Sequence, residues 1–92
     1  MTQEQIKQYI EDQGYDSVKV FESPSYCDAF IGISDNGRAV YDFEKMAEQF
    51  MRENECEYDE AVEFIEYNTI RALPYYPDGP IVVYPVLDYM VE

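Results

Sequence analysis

Asp35-Asn36-Gly37-Arg38 limits what this chain can become more than any other stretch. Asn-Gly between two apolar runs is a strong hairpin signal, because a type I′ turn needs positive φ at both central residues. The expected hairpin has one strand over residues 28 to 34, where Ala29, Ile31 and Ile33 alternate with Phe30 and Gly32. Its antiparallel partner runs over residues 38 to 42. Residues 17 to 22, Ser-Val-Lys-Val-Phe-Glu, have the β-branched content and alternation of a further strand. Pro24 then marks a loop, since proline cannot donate to a ladder.

Helices are expected on both sides of this β unit. Thr2 and Gln5 fit a capping box, Ile6, Tyr9 and Ile10 make an apolar stripe, and Gly14 suits a left-handed stop. After the hairpin, Asp42 is a plausible N-cap. Phe43, Met46, Ala47, Phe50 and Met51 follow at full amphipathic spacing. Glu48 and Arg52 stand in the favourable i, i+4 order for an ion pair. A short link at 54 to 56 leads to another helix whose apolar side is Tyr58, Ala61, Val62 and Ile65, and so short a link favours antiparallel packing. That helix should stop near Ala72, because the residue before Pro74 is pushed out of the α region. A turn-rich crossing with Pro77, Asp78-Gly79 and Pro80 precedes a last strand, Ile81 to Tyr84, and Pro85 favours an edge position for it. The tail from Leu87 is expected to fray. The fold class is therefore α+β in the order α-β-β-β-α-α-β. A mostly antiparallel four-stranded sheet with helices on one face is the economical packing, in one domain over residues 1–92.

Twenty acidic residues against six basic ones give a net charge of −14. With 47% hydrophobic and 16% aromatic residues the chain still has the composition of a folded protein. Phosphate contacts need Lys or Arg, so direct binding to nucleic acid or an anionic membrane is not expected. No apolar run approaches a membrane span, and Met1-Thr2-Gln3-Glu4 is polar where a leader would be basic. Cys27 and Cys56 show neither metal spacing nor a disulfide framework. A reducing cytoplasm is the expected compartment.

The chain contains no histidine, which removes Ser-His and Cys-His nucleophile pairs and imidazole metal sites. The four glycines are scattered, with no phosphate-cradling loop. Asp28, Asp35 and Asp42 recur every seven residues without an EF-hand pattern. No catalytic residue, metal site or cofactor is expected. From Asp42 to Glu66, however, ten acidic residues face two basic ones. Carboxylates at helical i, i+3 and i+4 spacing lie ~5–6 Å apart, and each DNA strand shows a negative charge per ~3.4 Å of axis. Such rows can stand in for phosphates in a nucleic-acid-binding groove. A solvated helix face is the plainer account of the same charges. The candidate partner-binding residues are Glu48, Glu55, Asp59, Glu60, Glu63, Glu66, Tyr67 and Arg71, with Arg71 expected to pair with Glu66 or Glu63. Asn68 and Thr69 suit a hydrogen-bonding clamp on the irregular backbone that follows.

Three stretches carry a resemblance: Asn36-Gly37-Arg38 with Val40-Tyr41-Asp42, the run from Glu63 to Tyr75, and Gly79-Pro80-Ile81-Val82-Val83. Together they resemble a group of short, acidic, uncharacterised proteins carried by phages and mobile elements of Gram-positive bacteria, over about residues 28 to 84. The resemblance implies an intracellular α+β domain without assigned activity, acting on a host or mobile-element machine, for example as a nuclease inhibitor. The expected function is non-enzymatic: an acidic helical face bound to a basic, nucleic-acid-binding protein. The alternative is a self-associating module, a homodimer, that uses Tyr67, Tyr75, Tyr76 and an open strand edge at residues 81 to 84.

Overall fold

A computed structural model of the chain describes residues 1–86. Helix α1 (Gln3–Asp12) is followed by strands β1 (Phe30–Ile33) and β2 (Ala39–Asp42), helices α2 (Phe43–Asn54) and α3 (Tyr58–Asn68), and strand β3 (Ile81–Val83). Short 3₁₀ turns occupy Cys27–Ala29 and Ile70–Tyr75. The tail from Leu87 lies outside the described residues.

The class is α+β as expected, but among the described residues the sheet has three strands in the order β1-β2-β3. β1 pairs antiparallel with β2, and β3 pairs parallel with β2. The sheet is therefore mixed, with β2 central, and the order is α-β-β-α-α-β. The missing strand is residues 17 to 22, which run without a ladder. Their apolar side chains are nonetheless used: Val20 is buried, and Val18 and Phe21 pack against the core. Side chains replace the ladder. The Tyr41 hydroxyl accepts from the Phe21 N–H at 3.2 Å, and the Phe21 carbonyl accepts from Gln3 Nε2 at 2.7 Å. Alternation thus located a core-facing segment, while the backbone partners came from elsewhere.

The hairpin forms with a different turn. Gly37 N–H donates to the Ser34 carbonyl, and of the three loop residues only Gly37 has positive φ (80°). This is a three-residue loop, a type I turn closed by a left-handed glycine, rather than the two-residue type I′ loop. β1 is shorter than expected at its start, where the 3₁₀ turn takes residues 27 to 29. Gln49, almost fully buried on α2, accepts from the Asp28 N–H at 2.9 Å and so fixes that turn.

Helix ends follow local chemistry. Thr2 and Gln5 make the capping box. Gly14 ends α1 in a left-handed turn, with Tyr15 N–H on the Ile10 carbonyl and Gly14 N–H on the Glu11 carbonyl. Asp42 caps α2 by accepting from the Lys45 N–H at 3.1 Å. α3 stops at Asn68, earlier than Ala72, and the chain tightens into the 3₁₀ turn that carries Pro74. α2 ends on Glu55, held left-handed at φ 51°. An L side chain is strained there, and a carboxylate opposes the negative end of the helix dipole. Glu55→Gly is expected to stabilise the protein by about 0.5–1 kcal/mol. Thermal denaturation checks this, and an unchanged or lower midpoint contradicts it.

The core joins Ile6 and Ile10 of α1, Ala39 and Tyr41 of β2, Phe43, Met46 and Ala47 of α2, and Ala61 and Ile65 of α3. Phe21, Phe30 and Tyr41 meet ring against ring, with Tyr41 to Phe21 centroids 4.6 Å apart. The turn Tyr76-Pro77-Asp78-Gly79, which delivers β3, is gripped by two cations. Arg38 Nε donates to the Gly79 carbonyl at 2.7 Å, and Lys19 Nζ to the Pro77 carbonyl at 2.6 Å. α3 is thereby held between α2, with which it shares the core, and the 3₁₀ turn, and its opposite side faces solvent.

Candidate functional site: the acidic face of α3

The α3 sequence alternates core and carboxylate at helical spacing. Ala61 and Ile65 are fully buried, while Asp59, Glu60, Glu63, Phe64, Tyr67 and Asn68 lie on the exposed side. Those six residues line one shallow recess of about 480 Å³. The structure thus brings together four of the residues singled out in the sequence: Asp59, Glu60, Glu63 and Tyr67.

The other four stand apart. Glu48 is exposed on α2, and Glu55 is the left-handed residue that ends it. Glu66 does not line that recess; burial raises the Tyr84 pKa, and the Glu66 charge raises it further. Arg71 makes no ion pair with Glu63 or Glu66. Its guanidinium lies over the Tyr67 ring, 4.9 Å from the centroid. An exposed ion pair gains little in water, so stacking on a neighbouring ring competes well with it. Arg71, Ala72, Tyr67 and Tyr75 line a second recess, so Tyr67 borders both.

Four further cations are spent away from α3, and Lys45 stands exposed on α2. Arg52 pairs with Asp28 at 2.5 Å and not with Glu48, because the 3₁₀ turn docked by Gln49 brings Asp28 to α2. Lys7 pairs with Glu22 at 3.6 Å. Lys19 and Arg38 hold the carbonyls of the β3-delivering turn. Among the described residues no cation is paired with a carboxylate of α3.

Phe64 and Asn68 are recess residues that sequence reasoning missed. Phe64 stacks on Phe50 of α2 with centroids 4.5 Å apart, yet stays 37% exposed. Its place three residues before Tyr67 was the available signal. Asn68 Nδ2 donates to the Phe64 carbonyl at 3.0 Å, so it clamps the preceding turn of α3 and not the backbone after it. That bond leaves the Asn68 Oδ1 as an acceptor. Among the described residues no three carboxylate or thiol groups converge to hold a metal ion. The α3 carboxylates are strung along the helix. Cys27 and Cys56 are free thiols. No described helix is long and apolar enough to cross a membrane.

No family model, curated protein or solved structure matches the chain.

Proposed function

We propose that this protein is a non-catalytic binding protein whose α3 face docks on a basic surface of another protein. The observation that carries this reading is the uncompensated charge of α3. Asp59, Glu60 and Glu63 share one recess, and among the described residues no cation pairs with any of them. A chain of net charge −14 that leaves its carboxylates unpaired on one rigid helix favours a cationic partner in encounter and in register. The spacing of carboxylates along a helix supports a narrower form, in which the face substitutes for phosphates on a nuclease or other nucleic-acid-binding protein. The resemblance to proteins of phages and mobile elements gives that form its setting, in which the target is a host or mobile-element protein in the cytoplasm.

The test is affinity capture from a Gram-positive host lysate at low salt, followed by elution with salt or duplex DNA. A nucleic-acid-binding protein that elutes under both conditions is the expected result. Reversal of Asp59, Glu60, Glu63 and Glu66 to Lys abolishes its capture, whereas reversal of Glu4, Glu11, Asp12 and Asp16 leaves it intact. Undiminished capture by the first variant overturns the reading.

A second reading is self-association through the sheet edge. Among the described residues β3 pairs on one side only, and beyond it Tyr84 and Val86 are 56% and 69% exposed. Tyr75, at 88%, is the most exposed of the large apolar side chains among the described residues. A dimer mass that is indifferent to salt supports this reading against the first.

A further inference from the structure

Resting on the proposed function, we infer that the α3 recess recognises an arginine side chain of the partner, in preference to lysine. The lining is the argument. As carboxylates, Asp59, Glu60 and Glu63 present acceptors and no donors. One oxygen each of Asp59 and Glu60 already takes a backbone N–H of the helix start. The Asn68 amide, with one N–H spent on Phe64, offers its Oδ1. Phe64 and Tyr67 add aromatic surface to the same recess. A group that suits acceptors and rings together is a planar donor that is weakly hydrated, which describes guanidinium and not ammonium.

The chain itself shows that a guanidinium suits this aromatic surface. Arg71 stacks on Tyr67 from the neighbouring recess and forms no ion pair with the described residues. Tyr67 is 66% exposed despite that contact. The acidic recess on its other border has no such cation among the described residues. A metal ion is a poor occupant, because no three ligands converge. A lysine would satisfy the charge and leave the rings unused.

Two synthetic peptides of equal charge, penta-arginine and penta-lysine with blocked ends, separate this inference from the reading beneath it. Titration calorimetry at low salt gives the affinities, and amide shifts in nuclear magnetic resonance locate the site. The expected result is penta-arginine binding at least fivefold tighter, with shifts centred on residues 59 to 68. Tyr67→Leu, at a largely exposed position, brings the two peptides within twofold while both still bind. Equal affinities for the wild-type protein overturn arginine recognition and leave the charge-driven reading standing. Shifts centred outside α3 overturn the site. Failure of both peptides to bind overturns the inference and the acidic-face reading together.

Discussion

Replacing Glu63 by lysine is expected to make the protein more stable and a poorer binder at once. Glu63 stands i+4 from Asp59, i+3 from Glu60 and i−3 from Glu66, so it takes part in three like-charge contacts on one helix. Each such pair is worth about 0.2–0.5 kcal/mol, unfavourable for like charges and favourable for opposite ones. Lysine turns all three from repulsion to attraction. The summed swing is about 1–3 kcal/mol, or roughly 5–20 °C in midpoint for a domain of this size. Binding of penta-arginine falls at least fivefold in the same variant. Thermal denaturation and peptide titration, each at low and high salt, check the pair of effects. Both shrink as salt screens the face. A destabilised Glu63→Lys protein would show that the carboxylate makes a structural contact, and unchanged peptide binding would remove it from the interface. The stability expected from this change measures what the native face gives up to remain acidic.

The second large effect belongs to Tyr41. Its hydroxyl is in the core, where it accepts from the Phe21 N–H. Burial pushes its pKa up to about 12; the Phe21 bond pulls the other way, and Glu22 adds to the rise. The unfolded chain ionises this tyrosine near pH 10. The folded state therefore holds the proton through a window in which the unfolded state loses it, and stability drains away between about pH 10 and 12. About two units correspond to about 3 kcal/mol from this residue alone. Tyr41→Phe leaves the Phe21 N–H without its partner and costs about 1–3 kcal/mol at neutral pH. The variant cannot suffer the alkaline loss at this position. The stability gap between wild type and variant therefore narrows as pH rises past 10, by about 1.4 kcal/mol at pH 11. Denaturant titrations at pH 8, 10 and 11 test it. Parallel curves would mean that Tyr41 is as easily ionised folded as unfolded.

What the sequence disclosed divides along the range of the interactions. α1, the hairpin, α2 and the start of α3 are set by contacts within a few residues, so Thr2, Gly14, Asn36-Gly37 and Asp42 announced them. Residues 17 to 22 look like a strand because alternation reports which side chains are buried. The backbone partners there are Tyr41 and Gln3, about 20 residues away, and nothing local indicates them. The parallel pairing of β3 with β2 was hidden for the same reason. Within the site, Asp59, Glu60, Glu63 and Tyr67 were legible because helical spacing alone places them on one face. Arg71 was not, since a guanidinium among carboxylates and rings has several comparable partners. Glu48 and Glu55 were grouped with α3 on charge, and the turn at Glu55 separates them from it.

The pairing of β2 with β3 also sets an order of assembly. β2 closes at Asp42 and β3 opens at Ile81, with both helices, the 3₁₀ turn and the gripped turn in between. During synthesis the hairpin emerges before β3 and leaves β2 with a bare hydrogen-bonding edge until β3 has left the ribosome. A prematurely ended chain is thus a nascent two-stranded ribbon with an adhesive flank, the kind of species that pairs with its neighbours and falls to chaperones or proteases.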